Sequence, residues 1–299
     1  MTRDPDPTDG DDHDDRFVSE VVGGTEVQLW EPSSASPMAV VDGIDALEPA
    51  LGRLFVVIGV FDGLHLGHSY LLTNLRREAT EHDARPAVLT FDHHPDEVLT
   101  GTAPPLLCDP AERLQRLERA GVDVTVVQTF DVALRETPYD AFIGRIADRV
   151  ELAGFLMTPD SAFGYQRAGT PETVTALGQR LGFDVVVVPP FTLDGRPVSS
   201  SAIRAAIEAG DLTTAERLLG RPYSVMGQTQ AEDGGAVGLA FDLPVTLPPD
   251  GEYRVRVELD RRIPLPPEAQ RAIIRDRALT LSPTPGISAE MRLAVLFEV

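Results

Sequence analysis

The stretch Val56-Val57-Ile58-Gly59-Val60-Phe61-Asp62-Gly63-Leu64-His65-Leu66-Gly67-His68 decides how the rest of the 299-residue chain is interpreted. Its β-branched start favours a buried strand, and the glycines that follow favour a tight Asp-Gly turn. The next residues, 69–72, have helical character. Strand, turn and helix in this order present backbone amides and a positive helix end to a phosphate. His65 and His68 stand at that helix end, where their rings can donate hydrogen bonds to phosphate oxygens.

Two less specific interpretations of this stretch stay open. A single glycine-rich turn is often only a tight connection between a strand and a helix. Two histidines could also form a metal pair, although no third ligand follows at a useful spacing. The combination of Gly-x-Phe-Asp and His-x-Gly-His between a strand and a helix is more specific. It resembles the signature of nucleotidyltransferases, which move an adenylyl or cytidylyl group from a nucleoside triphosphate.

Composition limits the kind of partner that the chain can bind. The formal net charge is -21 at pH 7, whereas DNA, RNA and anionic membrane surfaces each require a basic footprint, so we expect none of them. Nucleotide binding stays compatible, since it needs only local amides and one or two cations. The single cysteine, Cys108, permits no intrachain disulfide. No apolar run approaches the ~18 residues of a membrane span, and the acidic N-terminus does not predict a secretory signal. We expect a cytoplasmic protein.

The chain divides into three parts by composition and hydrophobic pattern. Residues 1–16 are rich in Asp and predict a disordered acidic tail. Residues 17–222 alternate strand and helix patterns, which predicts an α/β domain with a doubly wound, Rossmann-like parallel sheet. Residues 223–299 predict a small β-rich domain. The predicted strands cover residues 25–30, 56–58, 86–91, 122–130, 154–158, 184–188, 253–259 and 291–299, and the predicted helices cover residues 71–82, 109–120, 138–149, 173–181, 203–209 and 212–219.

Polar side chains follow the predicted strands at the sheet edge where doubly wound folds bind ligands. Asp92 and His94 follow the strand over residues 86–91, and Asp160 follows the strand over residues 154–158. We therefore expect all three near the ligand. The less specific interpretation of Asp92 and His94 is an Asx-type turn before a proline.

Serines open the predicted helix over residues 203–209. Hydroxyls and free amides at a helix start form an anion site, and an arginine one turn later can add a bidentate phosphate contact. Ser199, Ser200 and Arg204 have this spacing. The less specific interpretation is a serine N-cap followed by a surface arginine.

Together these stretches resemble one family, the bacterial FAD synthetases, which form the FMN adenylyltransferase module of bifunctional riboflavin kinase/FMN adenylyltransferases. The resemblance covers roughly residues 38–225. The matching stretches are residues 58–68, 89–95, 163–164 with Asp160, 198–204, 209–211 and 218–223. The resemblance implies the reaction of ATP with FMN to give FAD and pyrophosphate. It also implies Mg²⁺ as cofactor, bound mostly through water and substrate, so we expect no dedicated protein ligands for the metal.

The resemblance implies a role for each site residue. In-line attack of the FMN phosphate on the α-phosphorus needs no protein nucleophile, so positioning and charge neutralisation carry the rate. We expect His65, His68 and Arg204 to be catalytic. The histidines would hold the triphosphate, and Arg204 with Ser199 and Ser200 would grip the departing pyrophosphate. The other expected binding residues, which shape the turn or lie on the flavin side, are Gly59, Phe61, Asp62, Gly63, Gly67, Asp92, His94 and Asp160.

Departures from the family pattern concern the acceptor and the C-terminal part. The family usually carries Gly-x-Asp/Asn-Phe where this chain has residues 158–161, near the place where the family holds the flavin. Residues 243–247, Leu-Pro-Val-Thr-Leu, stand where the riboflavin kinase carries a Pro-Thr-Ala-Asn motif. We therefore expect a degenerate kinase-like domain without kinase activity. Two alternatives stay open: transfer to another phosphorylated small molecule, and a non-catalytic flavin- or nucleotide-binding regulator. The sequence does not predict the oligomeric state.

Overall fold

The computed structural model describes residues 19–22, 25–28, 37–232, 236–259, 263–264, 270–283 and 286–299. The acidic tail predicted for residues 1–16 lies outside them. The strands are β1 (Ser19–Val22), β2 (Thr25–Gln28), β3 (Ala39–Asp42), β4 (Arg53–Ile58), β5 (Arg85–Phe91), β6 (Val124–Gln128), β7 (Glu151–Met157), β8 (Asp184–Val187), β9 (Thr192–Leu193), β10 (Arg196–Pro197), β11 (Ser224–Ala231), β12 (Val237–Ala240), β13 (Gly251–Leu259), β14 (Ile263–Pro264), β15 (Gln270–Arg275), β16 (Ala278–Leu281) and β17 (Arg292–Phe297). The α-helices are α1 (Leu66–Glu81), α2 (Asp96–Thr100), α3 (Pro110–Arg119), α4 (Val132–Arg135), α5 (Tyr139–Ala147), α6 (Pro171–Leu181), α7 (Ser200–Glu208) and α8 (Leu212–Leu219).

The first part of the described chain folds around a parallel sheet of six strands in the order β3-β6-β5-β4-β7-β8. Helices cover both faces, so successive residues of β4 enter different cores. Leu54 and Val56 pack with residues of α5 and α6, while Phe55 and Val57 pack with residues of α1 and α3. Burial on both faces explains why β4 is a continuous apolar run. The predicted doubly wound α/β fold is confirmed.

The strand order reverses between β4 and β7. From β4 the chain moves outward through β5 to β6, and from β7 it moves in the opposite direction to β8. Open parallel sheets bind ligands in the crevice at such a reversal, outside the carboxyl ends of the strands. The turn that follows β4 stands at this crevice.

The second part of the described chain is an antiparallel barrel of six strands in the order β13-β15-β16-β12-β11-β17, closed by the pairing of β13 with β17. Alternate residues point inward, as Val255 and Val257 of β13 do. The barrel core also includes Ile203 and Ile207 of α7 and Leu212 and Leu219 of α8 in one continuous apolar cluster. The helix pair that carries the serine motif therefore packs directly against the barrel.

Several boundaries differ from the predicted ones. Helix α1 begins at Leu66 rather than at residue 71, because the His65 side chain caps its first turn. Strand β7 begins at Glu151, three residues before the predicted start. Of the strand predicted over residues 25–30, β2 covers residues 25–28 and pairs with β1, and residues 29–30 lie outside the described ones. The short edge strand β3 and the barrel strands β11, β12, β15 and β16 had no predicted counterpart.

Candidate active site

The turn between β4 and α1 has an unusual backbone. Phe61, Gly63 and Leu64 adopt φ values of 53°, 77° and 33°. These values lie in the left-handed region, which residues other than glycine avoid. At Gly63 there is also no room for a side chain, since a Cβ would lie 2.9 Å from Leu107 Cβ. The Phe61 ring is almost fully buried and packs 5.0 Å from the His68 ring. The turn is therefore shaped by tight packing as well as by glycine.

The two histidines form a stacked pair at the start of α1. The His65 and His68 rings are 3.7 Å apart at 15°, and His65 Nδ1 accepts a hydrogen bond from the His68 backbone N–H at 3.3 Å. This bond leaves the proton of a neutral His65 on Nε2. A Cβ on Gly67 would lie 3.1 Å from both His65 Nδ1 and the Val198 carbonyl oxygen, so the missing side chain makes room for the pair.

Both imidazoles are held neutral. Burial, with a smaller contribution from the Arg221 guanidinium, lowers the pKa of His68 to about 3. Burial lowers the pKa of His65 well below its usual range, and His68, Arg221 and Arg204 lower it further. Within the described residues His68 Nδ1 has no hydrogen-bond partner. A neutral imidazole can act as a hydrogen-bond donor without a change of protonation between pH 5 and 8.

Asp62 anchors Arg204 instead of offering a free carboxylate. Its buried side chain accepts hydrogen bonds from the backbone N–H groups of Leu107 at 2.9 Å and Cys108 at 3.2 Å. The same carboxylate pairs with Arg204 Nη2 at 2.5 Å. Arg204 Nε donates to the Pro105 carbonyl oxygen at 2.8 Å. With 8% of its surface exposed, Arg204 is not the surface arginine of the less specific interpretation.

The sequence left two roles open for the serines, a helix N-cap and a part of an anion site, and the structure assigns different contacts to Ser199 and Ser200. Ser199 caps α7, since its side chain accepts a hydrogen bond from the Ala202 N–H at 3.2 Å. Ser200 Oγ donates to the Asp62 carbonyl oxygen at 3.1 Å and so connects the start of α7 to the turn after β4. The neighbouring Ser201 lines the cavity described next, although it was not among the predicted site residues.

A cavity of about 400 Å³ opens beside the turn. Residues from three distant parts of the chain form its walls, and six predicted site residues are among them. The other seven predicted site residues do not line it: Gly59, Gly63, His65, Gly67, Asp92, Asp160 and Ser199. Its lining consists of Val60, Phe61, Asp62, His68, His94, Asp96, Pro104, Ser200, Ser201 and Arg204. A second cavity of about 330 Å³ shares Val60, His94 and Pro104 with it and reaches Asp92, Arg113 and the barrel residues Leu243 and Pro244. Among the residues that sequence reasoning missed, Asp96 begins α2 directly after the matching stretch 89–95, and Pro104 lies in the loop after α2, where no motif marks it.

Asp92 and His94 lie at these cavities in fixed orientations. Burial raises the pKa of Asp92, but hydrogen bonds from the Thr129 hydroxyl and the His93 and Phe130 N–H groups outweigh it, so the pKa lies below its usual value. Burial also lowers the pKa of His94, whose Nδ1 accepts a hydrogen bond from the Asp96 N–H at 3.2 Å. The carboxylate is thus ionised and the imidazole neutral near pH 7.

Asp160 is placed apart from this group. It is exposed on the loop after β7 and lines neither cavity. Its carboxylate accepts a hydrogen bond from Thr158 Oγ1 at 2.7 Å, and Ser161 Oγ accepts one from the Thr158 N–H at 2.9 Å. The loop therefore satisfies its polar groups locally.

A neutral histidine pair beside a buried arginine and a serine-rich helix start is suited to phosphate, and at the reversal of a parallel sheet this arrangement is typical of nucleotide-binding enzymes, the class to which nucleotidyltransferases belong. The particular family follows from comparison with known proteins. The family model described as FAD synthetase matches residues 48–202, and the chain belongs to the FAD synthetase family, whose members are FMN adenylyltransferases. Membership implies ATP and FMN as substrates.

The similar proteins support this assignment. The bifunctional riboflavin kinase/FMN adenylyltransferase of Haemophilus influenzae is 34% identical over 232 residues, which cover 74% of this chain and 75% of the relative. The protein of the same description from Escherichia coli strain K12 is 31% identical over 229 residues, covering 74% and 73%. A solved structure described as a macrolide-efflux protein from Streptococcus pneumoniae superposes with a TM-score of 0.74 at 22% identity, over 87% of this chain and 89% of that one. At this identity it shows a shared fold only.

Proposed function

We propose that the chain transfers the adenylyl group of ATP to FMN and releases pyrophosphate, giving FAD. The observation that carries this proposal is the arrangement of His68, Ser200 and Arg204 around one cavity at the carboxyl end of β4. These groups can bind a triphosphate without attacking it, which is what a transfer without a covalent enzyme intermediate requires. The family assignment supplies the identity of the two substrates.

In this reaction an oxygen of the FMN phosphate attacks the α-phosphorus of ATP. The new bond joins that oxygen to the α-phosphorus, and the bond from the α-phosphorus to the bridging oxygen breaks, so that pyrophosphate leaves with the electron pair. His68 contributes a neutral imidazole and Arg204 a fixed positive charge next to the phosphates. The start of α7, with Ser200 and Ser201, adds hydroxyl groups and the positive end of a helix. His65 supports the His68 ring from behind.

We also propose that Mg²⁺ accompanies the triphosphate. The Asp96 carboxylate and the Ser200 and Ser201 hydroxyls line the cavity, and oxygen ligands of this kind suit Mg²⁺, which often retains waters and binds through one or two carboxylates and substrate phosphates. Within the described residues no group of three or more His, Cys, Asp or Glu could hold a metal ion. When bound, the ion would neutralise phosphate charge.

We propose further that the barrel has no riboflavin kinase activity. We place the boundary between the two domains between residues 222 and 223. Residues 243–247 contain a threonine but no asparagine, so they lack the threonine and asparagine pair of the kinase motif. The threonine present in this segment, Thr246, is 1% exposed and donates its hydroxyl to the Pro105 carbonyl oxygen, so it does not offer an oxygen to a second nucleotide. The single cysteine, Cys108, is a buried free thiol, which is compatible with a cytoplasmic location, and we also propose this location. No described helix has the length and apolar character needed to cross a membrane.

A different phosphorylated acceptor is the second candidate function. It is favoured by the loop after β7, where Asp160 is held by Thr158 and faces solvent instead of lining either cavity. A flavin contact through Asp160 Oδ1 would compete with the hydrogen bond that this oxygen accepts from Thr158. An acceptor that makes no contact with the loop would leave that bond intact.

The experiment that separates these functions supplies ATP and Mg²⁺ with FMN, with riboflavin, or with neither, and measures pyrophosphate and chromatographically separated flavins. FAD from FMN, with none from riboflavin, is the expected result. FAD from riboflavin would contradict the loss of kinase activity. ATP binding without any pyrophosphate release would contradict adenylyl transfer to FMN and favour a non-catalytic regulator or another acceptor.

A further inference from the structure

The loop that precedes α3 connects the turn after β4 to the barrel. Leu106 of this loop forms a parallel bridge with Val245 of the barrel. The Leu106 N–H donates to the Pro244 carbonyl oxygen at 2.8 Å, and the Thr246 N–H donates to the Leu106 carbonyl oxygen at 2.8 Å. We call residues 105–109 the bridging loop, because its other side holds the phosphate-binding turn.

On the barrel side, Thr246 is the centre of the contact. Its hydroxyl donates to the Pro105 carbonyl oxygen at 3.1 Å, the same oxygen that accepts from Arg204 Nε at 2.8 Å. The Thr246 carbonyl oxygen accepts a hydrogen bond from the Tyr223 hydroxyl at 2.5 Å. Both Thr246 and Tyr223 are almost fully buried. One carbonyl oxygen is therefore shared between a barrel residue and the arginine of the nucleotide site.

On the turn side, the same loop supplies the partners of Asp62. Leu107 and Cys108 donate their N–H groups to the Asp62 carboxylate, and Cys108 Sγ accepts from the Gly63 N–H at 3.3 Å. Asp109, at the end of the loop, pairs with the barrel residue Arg292 at 2.7 Å. Thus the barrel holds the bridging loop at both ends, through Thr246 and through Arg292.

Arg204 depends on this loop for its orientation. Its Nη2 is held by Asp62, whose carboxylate is fixed by the amides of Leu107 and Cys108, and its Nε is held by Pro105. Two of the three guanidinium nitrogens are therefore fixed directly or indirectly by the bridging loop. A planar guanidinium that is held at two nitrogens has one orientation toward the cavity. A shift of the loop would move the charge that faces the phosphates.

We propose that Thr246 and Arg292 of the barrel are positioning residues for Arg204, so that the barrel is an integral part of the ATP site. This inference rests on the proposed function for the identity of the acceptor. The expected effect of Thr246 and Arg292 on ATP binding does not depend on which acceptor is used. It gives the barrel a role in adenylyl transfer that is independent of any kinase chemistry.

The first test compares Thr246→Val with the unmodified full-length protein. Loss of one buried hydrogen bond to Pro105 should raise the KM for ATP and the dissociation constant of MgATP by about 3- to 10-fold. The KM for FMN should stay unchanged. Thr246→Ser, which keeps the hydroxyl, should restore both ATP constants.

The chain offers a matched control in Thr229. This residue is also 1% exposed in the barrel, and its hydroxyl donates to the Ser288 and Met291 carbonyl oxygens, neither of which belongs to the bridging loop. Thr229→Val should lower the melting temperature about as much as Thr246→Val does but leave both ATP constants unchanged. Equal ATP constants for the two valine variants would overturn the proposal.

Additional measurements keep the test decisive if Thr246→Val does not fold or if the unmodified protein makes no FAD. If Thr246→Val does not fold, Arg292→Gln replaces it, since Arg292 is partly exposed. It should raise the KM for ATP at least about 2-fold, and an unchanged KM would overturn the proposal. If the unmodified protein binds MgATP but makes no FAD, the proposed function fails, and the MgATP dissociation constants of the variants still decide the positioning role. A protein that binds no ATP would overturn both.

Discussion

The turn after β4 and the loop after β7 lie at the carboxyl ends of neighbouring strands, but they are stabilised in opposite ways. The turn makes hydrogen bonds to residues up to 158 positions away, among them Cys108, Arg204 and Arg221. Residues 158–161 of the loop bond to one another over two or three positions. The proposed nucleotide site is therefore fixed by contacts with distant parts of the fold, whereas we expect that the loop near the proposed acceptor can change without disturbing it.

The largest effect should come from breaking the buried pair in the turn. Asp62→Asn removes the charge that compensates Arg204, and loss of one partner of a buried ion pair costs about 3–5 kcal/mol of unfolding free energy. The matched variant Asp194→Asn breaks an ion pair with Arg217 that is exposed on both sides, and surface pairs contribute about 0–1 kcal/mol. Denaturant unfolding measures both. Similar losses in the two variants would contradict the distinction between the turn and the surface.

The second-largest effect should be a loss of catalytic rate when His68, in the first turn of α1, is replaced. His68→Ala should lower kcat by about 10²–10³, the scale of one lost transition-state donor. His82→Ala is the matched control, since His82 caps the opposite end of α1 and contacts Phe55 and Asp184 instead of the cavity. Steady-state turnover with saturating ATP and FMN measures both. Undiminished turnover of His68→Ala would remove His68 from the catalytic residues.

A smaller effect should appear in the pH dependence of stability. The folded pKa of His68, about 3, lies below its value of 6.5 in the unfolded chain, so unfolding at pH 5 takes up a proton at this residue. Its contribution to stability is complete above pH 6.5 and is lost as the pH falls toward 3. The free energy of unfolding of His68→Ala should therefore decrease less steeply between pH 6.5 and 4 than that of the unmodified protein. Parallel slopes would contradict a neutral His68.

The smallest effect is expected in the loop after β7. Thr158→Val removes the hydroxyl that donates to Asp160, at a position where the loop is partly exposed. Unfolding free energy should change by about 0.5 kcal/mol or less, and the KM for ATP should stay constant, because no bond joins residues 158–161 to the turn in the described contacts. An increase in the KM for ATP comparable to that of Thr246→Val would show that the two regions are not independent.

Sequence reasoning found the parts of the site that depend on local chemistry. The strand and the turn around residues 56–68 follow from apolar β-branched residues and glycines, which act within a few positions. The cap that His65 places on α1 was not predicted. Ser199 was open to interpretation as an N-cap for the same reason. The doubly wound sheet followed from the alternation of strand and helix patterns.

The parts that were not predicted depend on contacts between distant residues. The pairing of Asp62 with Arg204 spans 142 positions, and the bond from Thr246 to Pro105 spans 141. Neither residue type nor spacing indicates such a partner in advance. Strands β11 and β12 were missed because a glycine interrupts each of them, and glycine is unfavourable in strands by local propensity.

We propose that this chain transfers an adenylyl group and that its barrel transfers no phosphate. The most direct measurement supplies FMN or riboflavin with ATP labelled at the α- or the γ-phosphorus and follows the label by chromatography. With FMN, we expect the α-label in FAD and the γ-label in pyrophosphate, and with riboflavin we expect no labelled flavin. A γ-label in FMN made from riboflavin, or an α-label that never reaches FAD, would contradict the account.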